Sequence, residues 1–481
     1  MAQYPRIMLS AGASGSGKTL ITCALLQALR DRGLETAAFK CGPDYIDPMF
    51  HTQVIGIRSR NLDPFFTDEE TTRWLFARSA AGPGGISVME GVMGFYDGLA
   101  GISTQASSYD LARITRTPVV LIADTRGMSV SVVPYIKGFL EYRADSGIAG
   151  VILNRMSGAL YPRVKGLIEE ELPQVRVLGY VEMNEAYRLE SRHLGLVLPE
   201  EVEDLREKLR LLAASLEKTV DIDALLSLAA AAPPSDVREP ALPGADIEAP
   251  VRVAVARDEA FCFLYEDNLD LLRMLGAEPV FFSPLHDGAL PEDVCGCLLP
   301  GGYPELYAKK LSGNTAMREA VRAAVAGGLP TMAECGGFMY LQESMEDMEG
   351  FAWPMAGAIP GRAYRTKRLG RFGYITLSEA ETIDETCVAA DDRKNLQRLL
   401  DGVGEIRGHE FHYFDSTDCG EALRARKPLS SRGWLCMQET PTLAAGFPHL
   451  YYWSNPRVPA AFLKACRGYA ATLKADRTAE E

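Results

Sequence analysis

Two consecutive α/β domains, the first a P-loop domain on a parallel sheet, are predicted by three observations. Short apolar runs alternate with helical periodicity, a proline-rich stretch divides that alternation, and a complete phosphate-loop motif opens the first half. Parallel strands covered by helices on both faces read as continuous apolar runs, so the alternation points to buried parallel sheets.

The runs before the division are RIMLSA (6–11), TAAFK (36–40), ISVME (86–90), PVVLIAD (118–124), GVILNR (150–155) and VLGYV (177–181). Helical patterns fall between and after them, as at 20–33 and 202–228. AAPPSDVREPALPGADIEAP (231–250) has few large apolar residues and reads as a linker. Beyond it come VRVAVA (251–256), AEPVFFS (277–283), GCLLPGG (296–302) and LPTMAEC (329–335), with helical LDLLRMLG and MREAVRAAVAGG between. The expected domains are therefore 1–230 and 251–481.

A chain of 481 residues exceeds one ordinary core. Its 47% hydrophobic and 24% charged content is that of a soluble globular protein. The net charge of −14 argues against nonspecific nucleic-acid binding and against docking on anionic membranes. No apolar run approaches the roughly 20 residues of a membrane span, and the opening MAQYPRIMLSAG lacks the layout of a signal peptide. Ten scattered cysteines without a CxxC pair favour a reducing cytoplasm over a disulfide or metal framework.

GASGSGKT (12–19) matches G-x-x-x-x-G-K-[ST] between a strand and a helix. Gly12, Ser14, Gly15, Ser16 and Gly17 are expected to turn backbone N–H groups toward phosphates. Lys18 would reach the outer phosphates of ATP, and Thr19 would offer its hydroxyl to Mg²⁺. Glu90 and Asp124 end apolar strands, where ligands of open α/β sheets bind. Glu90 is expected to ligate Mg²⁺ or position water; Asp124 could instead cap the following helix. Asn154, after another strand, is a candidate contact to the base. KCGPDYIDPMFH (40–51) adds Lys40, Asp44, Asp47 and His51 in one proline-stiffened loop.

Cys335, in MAECGGFMYL, ends an apolar strand and precedes two glycines and a helical segment. Small neighbours suit a nucleophile on a tight turn, and a helix N-terminus favours thiolate over thiol. Such a thiol needs a base and an oxyanion hole. The N–H groups of Gly302, in PGGYPELY (300–307), and of Gly336 are the expected donors, and His449, in AAGFPHLYYWSNP, is the expected base. His409 and His412, in GHEFHYF, are rivals, though their spacing is not that of a helical zinc site. An ATP site and a thiol site in one chain suggest that ATP activates an acid while the thiol half supplies nitrogen. A P-loop switch ATPase of the partitioning type is the alternative from another class; it would need neither Cys335 nor His449.

KCGPDYIDPMFH, EGVMGFYDG (90–98), PVVLIADTRGMS (118–129) and RHLGLVLPEE (192–201) resemble the cobyrinate a,c-diamide synthases. PGGYPE, AECGGFMYL and the late histidine resemble the amidotransferase half of the same family. The resemblance implies a dethiobiotin-synthetase-like P-loop domain followed by a class I glutamine amidotransferase domain. It implies phosphorylation of a tetrapyrrole carboxylate by ATP, and displacement of phosphate by channelled ammonia from glutamine. Hydrogenobyrinate or nickel sirohydrochlorin are alternative rings. Carried over by position, Thr19, Asp44 and Glu90 surround Mg²⁺, with Asp47 competing for Asp44's place. Lys40 would stabilise the transferring phosphate, and Asp97 would handle substrate or ammonia. The basic cluster of Arg362, Arg365, Lys367, Arg368 and Arg371 offers Arg365 and Arg368 for the ring's carboxylates. A homodimer is left open. Two positions depart from the family, Phe447 where tyrosine is usual and Tyr451 where a second histidine is usual, which leaves the third member of the triad open.

Overall fold

The computed structural model describes residues 3–184, 199–243, 250–380 and 398–480. The motif at 192–201 therefore falls largely outside the described residues. Two compact units divide between Pro240 and Ala241, and the described residues from 231 to 243 carry no helix or named strand.

In the first unit seven parallel strands form one sheet. They are β1 (Arg6–Ala11), β2 (Thr36–Cys41), β3 (Ser59–Leu62), β4 (Ile86–Glu90), β5 (Val119–Asp124), β6 (Ile148–Asn154) and β7 (Arg176–Val181), in the order β3-β2-β4-β1-β5-β6-β7. Successive side chains of a strand point to opposite faces, and here both faces are apolar. Val151 and Leu153 of β6 pack with Val132, Ile136 and Ile168 on one side. Ile152 joins Leu25, Leu29 and Leu212 on the other. The helical pattern at 202–228 proves to be two helices, Pro199–Thr219 and Ile222–Ala230. Val220 bridges to Gly179 of β7 between them, and Asp221 caps the second by accepting from the Ala224 N–H at 2.8 Å. Periodicity carries no information about such a local backbone partner.

The second unit contains β8 (Val251–Ala256), β9 (Ala277–Phe282), β10 (Gly296–Leu299), β11 (Thr331–Glu334), β12 (Ser344–Glu346), β13 (Ala352–Pro354), β14 (Arg362–Arg365), β15 (Arg371–Glu379), β16 (Ile406–His412), β17 (Phe414–Ser416), β18 (Leu423–Arg426), β19 (Gly433–Cys436), β20 (Gln438–Thr440), β21 (Leu443–Gly446) and β22 (His449–Leu450). Its main sheet, β20-β21-β11-β10-β8-β9, is parallel except for edge strand β20. Two further sheets, β13-β12-β14-β17 and β19-β18-β15-β16-β22, are largely antiparallel. Strand–helix alternation did not anticipate them, because several of their strands are only three or four residues long and carry arginine, serine and glutamate among their apolar residues.

Candidate functional sites

The phosphate loop leaves β1 and enters the helix Lys18–Asp31. Gly15 and Gly17 lie at φ 77° and 89°, a region that glycine reaches without steric cost. A Cβ at Gly15 would meet nothing within 4 Å, whereas one at Gly17 would lie 2.4 Å from Asn154 Nδ2. Asn154 is thus part of the loop's frame. Its Nδ2 donates to the Ser16 carbonyl at 2.8 Å and its Oδ1 accepts from the Arg155 N–H at 3.0 Å.

Asp124 does not cap the next helix. It pairs with Arg155 at 2.5 Å and Arg126 at 3.2 Å, while the next helix begins at Val132 after Ser131. Arg155 in turn donates to the Gly15 carbonyl at 2.9 Å. Asp124 therefore supports the phosphate loop through Arg155.

Beside the loop, one lysine serves three carboxylates. Lys40, at the end of β2, is 2.7 Å from Glu90 Oε1, 3.8 Å from Asp44, and bonded to Asp47. β2 and β4 are adjacent, with Lys40 opposite Glu90 in register, so topology alone brings the two together. Thr19 Oγ1 donates to the same Glu90 oxygen at 2.6 Å. Burial works against charge on Lys40, but Glu90, Asp47 and Asp44 outweigh it and hold its pKa well above the ordinary value. Burial likewise opposes ionisation of Glu90, yet Lys40 and His51 keep its pKa low. Asp47 is pushed up by burial and by the charge of Glu90. Asp44 stays nearer the rim, with Oδ1 accepting from the backbone N–H of Ile46 at 2.7 Å.

His51 stood out in the 40–51 loop but carried no assigned role. Fully buried, it sits 3.5 Å from Glu90 Oε2 and 3.1 Å from Ser59 Oγ. Its place eleven residues after Lys40 was visible, but its contact across the sheet was not. Lys18 donates to the carbonyls of Ala13, at 3.0 Å, and of Met93. Burial and the charge of Lys40 lower its pKa. Asp97 is exposed and accepts from the Gly94 N–H at 2.9 Å.

Among the described residues no group of three or more His, Cys, Asp or Glu side chains forms a metal cage. Mg²⁺ is usually held by one or two carboxylates together with substrate phosphates. Thr19 and Glu90 supply hard oxygens at the start of the phosphate-loop helix, and they fit such a shared ion.

The second site stands on β11. Cys335 follows it with φ 46° and ψ −102°, outside the ordinary regions for a side chain with a Cβ. Such strain costs on the order of 1–3 kcal/mol and persists where the surroundings impose it. Here the Cys335 N–H is held by the Gly446 carbonyl at 2.8 Å. The helix that follows, Gly336–Leu341, is six residues long, and Cys335 is buried. Burial, with the charges of Glu305 and Glu410, pushes the thiol pKa well up despite a hydrogen bond from the Gly336 backbone. Desolvation thus works against the thiolate that a helix N-terminus would favour, and this helix is short.

His449, the expected base, lies on β22. A Cβ at Gly301 would lie 2.3 Å from His449 Cε1 and 3.4 Å from Cys335 Cβ, so base and thiol flank the same glycine. Gly301→Ala should lower glutamine hydrolysis at least about 100-fold by wedging them apart, as small misplacements at a reacting centre do. Unchanged glutamate release would overturn this placement. A Cβ at Gly336 would lie 3.2 Å from the Gly302 nitrogen, so the two expected oxyanion donors are neighbours.

His409 pairs with His449 across β16 and β22 and stacks on it at 4.9 Å and 17°. Burial and Lys427 push its pKa down to about 3. His412 bonds Glu410 at 2.8 Å and stacks on Phe447 at 4.1 Å. Neither histidine flanks Gly301 as His449 does. Tyr451 packs edge-on against Tyr265 at 5.1 Å. The basic cluster is not a single surface. Arg365 and Arg368 are exposed, but Arg371 turns inward to Glu410 at 4.0 Å, Asp415 at 3.8 Å and the Trp434 ring.

Residues 7–197 match the CobQ/CobB/MinD/ParA nucleotide binding domain, and residues 252–455 match the CobB/CobQ-like glutamine amidotransferase domain. A protein of Salmonella typhimurium named cobyrinate a,c-diamide synthase is 39% identical over 97% of this chain and 99% of its own length. Proteins of the same name from Listeria innocua (38%, over 94% of this chain and 97% of theirs) and Thermoplasma volcanium (37%, over 97% and 98%) are similar along nearly their whole length. With both halves and both sites accounted for, the chain belongs to the cobyrinate a,c-diamide synthase family.

Proposed function

We propose that this chain uses ATP and glutamine to amidate the a- and c-acetate carboxylates of cobyrinate in cobalamin biosynthesis. The observation that carries the reading is the coexistence of two complete sites, the P-loop with Lys40 and Glu90 and the Cys335–His449 pair, in a chain similar throughout to proteins of that name.

In the first half a substrate carboxylate oxygen attacks the terminal phosphorus of ATP, giving an acyl phosphate and ADP. Phosphoryl transfer asks mostly for positioning and charge neutralisation. Lys18 and Lys40 supply positive charge, and Thr19 and Glu90 would hold Mg²⁺, which when bound would neutralise phosphate oxygens. Asp97, exposed and near enough for its charge to act on Lys18, would orient the acceptor or receive a proton from ammonia. Ammonia attacks the acyl carbon and phosphate leaves.

In the second half the Cys335 sulfur attacks the glutamine amide carbon as its proton passes to His449. The N–H groups of Gly302 and Gly336 stabilise the oxyanion. The proton then goes to departing ammonia, and water releases glutamate from the thioester. Arg365 and Arg368 are the exposed arginines suited to the ring's peripheral carboxylates.

Incubation with ATP, glutamine and, separately, cobyrinate, hydrogenobyrinate or nickel sirohydrochlorin, followed by mass measurement, tests the reading. Two amides added to cobyrinate are expected. Preference for another ring would move the substrate assignment, and no amide on any ring would sink it.

A further inference from the structure

In amidotransferases built on a cysteine and a histidine, a third group commonly fixes the histidine and balances its charge. Two residues after His449 this chain has Tyr451, which packs against Tyr265 and carries no carboxylate. Among the described residues, a carboxylate approaches His449 from the residue before the nucleophile. Glu334 ends β11, and its Oε2 lies 4.0 Å from His449 Nδ1. Both residues are buried. Glu334 is held from the base's own strand, accepting hydrogen bonds from the Leu450 backbone and the Tyr452 hydroxyl. β22 therefore carries both the base and a group that anchors its partner.

The other buried groups nearby are engaged differently. Glu410 bonds His412 at 2.8 Å and Trp434 Nε1 at 3.0 Å. His409 presents its ring face to His449 and has no negative charge to offer. Burial raises the pKa of Glu334 and lowers that of His449, so an isolated charge is disfavoured on either one. Positive charge arriving on one favours negative charge on the other.

We infer that Glu334 is the positioning residue of the amidotransferase half: its carboxylate, 4.0 Å from His449 Nδ1, closes on the Nδ1–H and orients the imidazole as His449 takes the Cys335 proton on Nε2. This rests on the reading of Cys335 and His449 as nucleophile and base. As the Cys335 S–H bond breaks, its proton bonds to His449 Nε2 and the sulfur electron pair forms the C–S bond. The imidazolium so formed is balanced by the Glu334 carboxylate.

Glutamate release by the full chain tests this. Glu334→Gln keeps the size and hydrogen-bonding capacity of the side chain but not the charge. It should lower kcat about 100-fold or more, with the KM for glutamine within about threefold, as removal of a triad carboxylate does. In a His449→Ala background the same substitution should cost no more than about twofold, because residues that act as a unit are not additive. A kcat for Glu334→Gln within about threefold of the parent, or the same loss with and without His449, overturns the inference. Should Glu334→Gln not fold, Glu334→Ala in the two backgrounds makes the same comparison. Undiminished glutamate release by Cys335→Ser would instead overturn the reading on which the inference rests.

Discussion

Replacing Cys335 with serine should abolish glutamine-dependent synthesis, by about 10³-fold or more, while synthesis driven by ammonium chloride persists near the parent rate. Serine keeps nearly the size of cysteine, so the turn after β11 can survive. What is lost is the polarisable, more acidic nucleophile. The hydroxyl needs still more help than a thiol whose pKa is already raised by burial. Free ammonium bypasses glutamine hydrolysis and so reads the ATP half alone. Both rates can be followed by mass of the amidated ring. Loss of both activities in a variant that unfolds at the parent temperature would refute the division of labour between the two halves.

Glu90→Gln should have the complementary outcome. Synthesis should fall about 10³-fold with either nitrogen source, while Cys335 still hydrolyses glutamine, because the lost charge belongs to the phosphoryl-transfer site. Glu90 is the hub of that site: one oxygen receives Thr19 and Lys40, and the other faces His51. Glutamine at this position keeps the shape but removes the charge that holds Lys40. Asp47, which burial and Glu90 together hold toward its protonated form, would become the principal counter-ion. Ammonium-driven synthesis within tenfold of the parent rate would remove Glu90 from the reacting centre.

The two sites differ in how much could be read from residue order. The phosphate loop was legible because consecutive backbone groups make it, so spacing within eight residues encodes the geometry. Asn154 and Asp124 were visible as strand-end polar residues, but their duties were not. One braces Ser16 and the other holds Arg155, contacts made across the sheet. Cys335 was legible from the glycines after it. Its protonation state was not, because burial is a property of the packed unit rather than of neighbours in sequence. Gly301 was expected as part of a glycine pair, yet its role in seating base and thiol together depends on three separate segments.

Order along the chain determined most element types of the first unit and the nucleotide loop, and it marked Cys335 and His449 as candidates, because local periodicity and short motifs carry that information. Only tertiary structure decided that Lys40 stands between three carboxylates, that His51 backs Glu90, and that a Glu334 carboxylate oxygen lies 4.0 Å from His449 Nδ1. These are contacts between side chains on different strands. Their energies depend on distance and on exclusion of water, and neither is set until the sheets assemble.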